Sequence, residues 1–275
     1  MTHTDKKTYI STATTDKWPA IKDISQSISR FDLVVYLAIS DLRSRYRRTV
    51  LGPFWFTLNT LVGSAGLGLL WSELLNMDRI TFMPSITVGM IIWSFISGLI
   101  VDSTNVYSTQ SAVIRNINLP LSIWPAQLVS RHLINLAHTT PVFLVIAYIL
   151  GFPLARTAWL ALPGILLLSL NTLWLSLLLG MLGARFRDLG HLVASLMPLV
   201  MLISPVFYRP NFLPFSERIM WFNPFSHFIE LIRYPLLGSP PPLFVVQTNI
   251  LFLLVGTMFT LWIFNRKHHR ISFWL

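Results

Sequence analysis

The chain has 275 residues, of which 53% are hydrophobic and only 12% charged, against about 25% charged in ordinary soluble domains. That balance excludes a single water-soluble domain, whose surface would need far more polar cover, and suits a molecule whose outer surface meets lipid. The net charge of +10 gathers in residues 6–48, at Arg185 and Arg187, and in Arg266, Lys267 and Arg270, so no soluble module presents the basic face that nucleic acid requires.

In chain order, residues 1–30 are polar and lack the apolar run of a signal peptide. They are expected to form a flexible cytoplasmic N-terminus. Phe31–Leu51 reads as an amphipathic helix lying in the inner membrane interface. Leu33, Leu37 and either Ile39 or Leu42 share a face, while Arg43, Arg47 and Arg48 crowd the far end. The alternative for this segment is a basic stop that only fixes topology.

Six apolar segments follow, each close to the roughly 20 residues that cross hydrocarbon. They are Pro53–Ser72, Pro84–Val101, Leu133–Leu150, Ala158–Leu182, Leu192–Tyr208 and Phe244–Phe264. Their continuity indicates helices rather than alternating barrel strands. With the N-terminus inside, sixteen of the 21 Lys and Arg residues fall on cytoplasmic segments, Arg115 and Arg131 among them. Before the last span, Asn223-Pro224 forms an N-cap and first-turn pair. Phe225, Phe228 or Ile229, Ile232 and Leu236 then line one face of a short helix. With Pro214–Phe222 as a second piece, this region reads as a re-entrant hairpin, the alternative being two interfacial helices.

The expected fold is therefore an all-α integral membrane protein. It has six transmembrane helices, an N-terminal amphipathic interface helix, and a re-entrant outer helical hairpin before the last span. Residues 31–265 form the membrane domain and 266–275 a basic cytoplasmic tail.

No Gly-Lys dipeptide occurs, so the phosphate cradle of an ATPase is absent. H-E-x-x-H and G-x-S-x-G are absent too, and without cysteine there are no disulfides or thiolate chemistry. His268-His269 has no further ligand nearby in sequence to hold a metal. His138 lies within the third span and His132 near its inner end, both suited to hydrogen bonds with neighbouring helices. Asp102 and Glu73 sit at span ends, leaving no carboxylate at membrane depth for a proton- or sodium-coupled carrier. Many of the ten tryptophans suit an interfacial belt. Tyr208, Trp221, Phe222 and Phe225 gather around the hairpin, where aromatic faces can stack on sugars.

Five blocks carry a resemblance: Asp41-Leu-Arg-Ser-Arg-Tyr-Arg-Arg-Thr-Val-Leu-Gly-Pro-Phe-Trp55, Ile114-Arg-Asn-Ile-Asn-Leu-Pro-Leu-Ser122, Arg185-Phe-Arg-Asp-Leu-Gly190, Ser204-Pro-Val-Phe-Tyr208 and Asn223-Pro-Phe-Ser-His-Phe-Ile-Glu-Leu-Ile-Arg233. In this order they resemble the permease subunits of type 2 ABC polysaccharide exporters, with the first block closest to O-antigen exporters. The resemblance implies a homodimer in the bacterial inner membrane with both termini cytoplasmic, and two copies of a separate ABC ATPase that bind ATP and Mg. No cofactor is expected on this chain. The cargo would be undecaprenyl-linked polysaccharide, with membrane lipids and no nucleic acid as further partners.

By the same resemblance, Arg43, Arg45, Tyr46, Arg47 and Arg48 would form a gate helix near the lipid pyrophosphate. Arg115, Asn116, Pro120, Arg185, Arg187 and Asp188 would couple to the ATPase. Tyr208, Trp221, Phe222 and Phe225 would serve the channel and outer gate. Capsule, teichoic acid, drug or lipid export remain alternatives within the same superfamily. A membrane-embedded transferase using Asp188 and His191 is an alternative outside it.

Overall fold

The computed structural model describes residues 18–47, 49–52, 54–74, 76–209 and 221–275. These are overwhelmingly helical, with no strand among the described residues. Two helices precede the first long apolar one. The first, α1 (Pro19–Ser29), begins with proline in its first turn, where the missing N–H costs nothing. Residues 19–29 are thus a helix and not part of a flexible segment. Their buried stripe is Ala20, Asp23 and Ser27, so packing here is small and polar.

The second, α2 (Phe31–Tyr46), buries Val34, Ala38 and Leu42 at four-residue spacing and lies along α6. This face is offset by one position from the expected Leu33 and Leu37, which are half-buried at its edge, while Ile39 is exposed. The physical reason is Ala38, fully buried. Its small side chain lets the two helices approach, and the larger leucines flank that contact.

Five helical stretches are long and apolar enough to cross a membrane. They are α3 (Phe54–Leu74), α4 (Arg79–Ser103), α6 (Ile123–Ile149), α7 (Ala161–Arg185) with the 3-10 turn Arg156–Leu160 before it, and α10 (Leu243–Trp274). A short helix, α5 (Ser111–Asn116), lies between α4 and α6. The fifth expected span, Leu192–Tyr208, is instead α8 (Leu189–Ile203) of 15 residues. At 1.5 Å per residue it is about 22 Å long, short of the roughly 30 Å hydrocarbon core. Ser204 leaves the helical region (ψ 149°) immediately before Pro205, as a residue preceding proline tends to do.

Several helices overrun their expected ends. Asp78 caps α4 by accepting from the N–H groups of Ile80 and Thr81, so the helix starts well before Pro84. The start of α6 at Ile123 takes in Arg131 and His132. The expected basic tail 266–275 continues α10 as far as Trp274.

At the centre of the bundle stands α4. Of its most apolar window 72% is buried, against 17% for α3 and 22% for α10. The outer helices therefore turn apolar side chains outward, such as Val62 and Leu70 of α3. On the other side, α7 and α10 run along each other, and Gly183 near the end of α7 touches the turn after α4. A Cβ at Gly183 would lie 1.7 Å from the Thr104 carbonyl oxygen. Gly183→Ala is expected to lower stability by about 1–3 kcal/mol, because backbone must move to admit the methyl group. Gly66→Ala, with nothing within 4 Å, should be neutral or add up to about 1 kcal/mol through helix propensity. Thermal unfolding in detergent checks both.

Candidate functional site

One end of the bundle gathers the expected gate and coupling residues. On α2, Arg43 and Arg47 are exposed four residues apart and form no ion pair among the described residues. Arg45 reaches back one turn to Asp41, Nε to Oδ2 3.3 Å. Tyr46 is half-buried with its ring edge-on to Phe56, centroids 6.4 Å apart. Burial raises its phenol above the ordinary range, opposed by the charges of Arg45 and Arg131. Arg48 lies outside the described residues.

Behind α2 sits a cluster that sequence reading leaves without a role. The Arg131 side chain, on α6, is 7% exposed. Its Nη1 donates to Asp41 Oδ2 of α2 at 2.5 Å, and its Nη2 donates to Asp102 Oδ2 of α4. His132 Nε2 shares that Asp102 oxygen at 3.1 Å. One planar guanidinium thus spans carboxylates on two other helices, a geometry that arginine's fixed fork suits and lysine's point charge does not. Beside it lies a polar cavity of about 120 Å³, lined by Asn105, Thr109, Gln110 and Gln127 among others.

The coupling residues divide by exposure. No residue of α5 is buried; Arg115 and Asn116 are exposed and Pro120 is buried. Arg185, Arg187 and Asp188 are exposed at the end of α7. The two groups meet around Trp274. Arg185 lies over that ring at 5.5 Å, and Val113 and Ile114 of α5 join the same apolar cluster. Arg187 and Ser111 line one cavity of about 340 Å³ with Trp274. Tyr107, buried nearby, has its hydroxyl without a hydrogen-bond partner among the described residues. Burial and the Asp23 carboxylate hold this phenol well above its ordinary range. His268 directs Nε2 to Asp23 Oδ2 at 3.0 Å, and among the described residues no group of three His, Asp or Glu gathers as a metal site.

The opposite end is built on α9 (Pro224–Leu236). Asn223 caps it, accepting from the Phe225 N–H at 3.0 Å, with Pro224 in the first turn. Phe228, Ile229 and Ile232 are buried, with Phe225 and Leu236 at the margin. The expected partner piece 214–220 lies outside the described residues. Of the four outer aromatics, Trp221 and Phe225 are joined through the rings of His227, Phe252 and Phe228. Phe225 packs edge-on to Trp93 of α4 at 5.6 Å, and Trp221 packs edge-on to Phe244 of α10 at 4.7 Å. The Tyr208 hydroxyl bonds the Ile203 carbonyl at 3.2 Å. Phe222 is 89% exposed.

Glu230 and Arg233, both fully buried, pair at 2.8 Å on α9. Arg233 also donates to the carbonyls of Tyr208 and Val206, each at 3.0 Å. Gly89 of α4 makes room for this guanidinium, since a Cβ there would lie 2.1 Å from Nη2.

This arrangement has helical spans, an exposed short loop helix at the basic end and a buried cap at the other. The sequence model described as ABC-2 type transporter matches residues 32–237. The chain belongs to the ABC-2 type transporter family. It is a multi-pass membrane permease, in agreement with the resemblance read from its five blocks. Two proteins named O-antigen export system permease protein RfbA are similar to it. The one from Klebsiella pneumoniae is 23% identical over 254 residues, covering 88% of this chain and 94% of the relative. The one from Myxococcus xanthus is 26% identical over 179 residues, covering 64% and 68%.

In this permease Arg233→Met should cost about 3–5 kcal/mol, because Glu230 is left buried without its countercharge. Arg233→Met combined with Glu230→Gln should recover much of that loss. Unfolding temperatures in detergent compare the single and double variants.

Proposed function

We propose that this permease moves undecaprenyl-linked polysaccharide, an O-antigen, across the bacterial inner membrane, with ATP hydrolysed by a separate ABC ATPase. The observation that carries this reading is the collinear similarity to the Klebsiella pneumoniae permease along 88% of the chain. A match of that extent includes both ends of the mechanism, the interface helix and the outer cap.

In the proposed assembly two copies pair around a central channel above two ATPase subunits, and both termini are cytoplasmic. The outward apolar side chains of α3 and α8, such as Leu70 and Leu199, can meet lipid or the second copy equally well. α8 with residues 204–208 makes the sixth crossing. α9 belongs to the re-entrant outer hairpin before the last span, and the burial of Ser226 through Arg233 supports that position. The exposed α5, with Arg115, Asn116, Arg185, Arg187 and Asp188 around it, contacts the ATPase.

The interface helix α2 presents Arg43 and Arg47 to the lipid pyrophosphate. Their exposure, without a carboxylate partner among the described residues, leaves both guanidinium groups able to make bidentate phosphate hydrogen bonds. Arg45 is already engaged by Asp41 and serves to set the helix end. Phe222, the exposed aromatic at the outer end, contacts sugars as the polymer leaves.

Affinity purification in mild detergent is expected to recover an ATPase at one-to-one ratio. An assembled, folded sample without an ATPase would sink the proposal. Deletion should make lipid-linked polymer accumulate in the cytoplasm. Arg43→Ala with Arg47→Ala should reduce export at least tenfold, since each lost charge-assisted hydrogen bond is worth about 1.5–3 kcal/mol. Membrane insertion of this double variant should be unchanged, as neither side chain is packed.

A further inference from the structure

The stretch 104–120, which contains the unburied α5 and, ahead of it, Val106 and Tyr107 buried against α7, is fastened at both of its ends by carboxylates from the two helices that precede the first span. At its start, Asp102 is gripped by Arg131, and the other arm of the same guanidinium holds Asp41 of α2. At its end, Asp23 of α1 accepts from the Leu121 N–H at 2.7 Å and the Ser122 N–H at 2.9 Å. Asp23 therefore caps α6 from a site 98 residues away in sequence, with its negative charge at the positive end of the helix dipole. Ser27 of α1 adds a 2.6 Å hydroxyl contact to Ser122. Asp23 and Arg131 are each 6% exposed. Only Arg30 separates α1 from α2.

We propose that Asp23 and Asp41 are positioning residues that tie the two ends of segment 104–120 to α1 and α2, so that a displacement imposed on α5 is delivered to the arginine-bearing interface helix. The inference rests on the reading of α5 as the ATPase contact. Apolar packing through Val34, Ala38 and Leu42 already attaches α2 to α6. Ion pairs in such places add little net stability over apolar packing, so adhesion alone does not explain them. What they add is direction. Two charged joints at the two ends of one segment transmit translation and rotation together, whereas apolar contacts, such as those of Val106 and Tyr107 with α7, slide. The 120 Å³ cavity beside Arg131 gives the polar groups of the segment space to move without breaking the joint.

The chain contains no cysteine, so spin labels can be placed at Ser44→Cys on α2, Ser108→Cys in the segment and Ser239→Cys at the far end, all exposed positions. Pulsed electron resonance would be recorded on the permease–ATPase complex in vesicles, with and without trapped nucleotide. The expected result is that the 108–239 distance changes with nucleotide while the 44–108 distance stays constant.

In Asp41→Asn and Asp23→Ala backgrounds the 44–108 distribution should broaden. Polymer exported per ATP hydrolysed should fall roughly tenfold, as for one lost charge-assisted hydrogen bond, with hydrolysis itself little changed. Asp41→Glu should restore most of the export. If the 44–108 distance in the unsubstituted background changes with nucleotide, α2 does not follow the segment and the proposal is overturned, whether or not the variants assemble. Equal losses of hydrolysis and export in folded variants also overturn it, as a purely structural role would give. If the 108–239 distance is insensitive to nucleotide in a hydrolysing complex, the ATPase-contact reading itself fails and takes the proposal with it.

Discussion

Hydrocarbon offers no partner to a polar group, so every polar side chain drawn into this bundle must be answered from within the chain. The structure answers much of that demand at three levels, although among the described residues the hydroxyls of Tyr107, Ser176 and Thr260 find no partner. Near the basic end, Arg131 joins α2, α4 and α6 through two aspartates. Midway, the Asn171 amide donates to the Asn249 carbonyl of α10 at 3.1 Å, and Asn249 in turn donates to the His227 carbonyl of α9 at 3.0 Å. At the far end, Arg233 gathers Glu230 and the carbonyls of residues 206 and 208. Except for the Arg233–Glu230 pair within α9, these bonds fix one helix against another helix or turn at a single register, which apolar contact by itself does less sharply.

The central place of α4 follows from the same constraint. It contributes Asp102 to one pin and, through the bare backbone at Gly89, the space for Arg233 at the other. Between them its apolar residues, from Val88 to Ile100, form the main core cluster with α6, α7 and α9. α3 and α10 carry few inward residues and show most of their surface outward. A fixed centre with greasy outer helices is the form expected of a permease whose working surface lies outside its own core.

Local chemistry made part of this legible in the sequence. Asn223-Pro224 is the start of α9 because an N-cap and its first-turn proline depend on adjacent residues alone. Long apolar runs marked the long helices for the same reason. The Arg131 joint was not legible, because its partners lie 90 and 29 residues away and a lone arginine at a span end reads as a loop charge. α1 escaped notice although Ile21, Ile24 and Ile28 recur at helical spacing, because that apolar stripe faces outward while the buried one is Ala20, Asp23 and Ser27. The face of α2 was misread by one position because hydrophobicity favours leucine, whereas the close approach selected Ala38. Tyr208, Trp221, Phe222 and Phe225 looked like one group by type, yet tertiary packing gave Trp221 and Phe225 different neighbours on different helices.

The lengths of α8 and α10 set an unequal demand on the bilayer. At 32 residues α10 is about 48 Å long, well beyond the hydrocarbon core, and can tilt or protrude to suit any thickness. As the proposed sixth crossing, α8 with its 15 residues has no such latitude. Lipid beside it must thin, or protein must fill the missing depth. The excess length of α10 is its polar end, Arg266 to Arg270, which creates no mismatch, so any mismatch falls on the α8 flank alone. Thicker bilayers raise the cost of leaving the α8 flank against lipid, so lipid chain length becomes a thermodynamic control on how readily that flank finds protein to cover it.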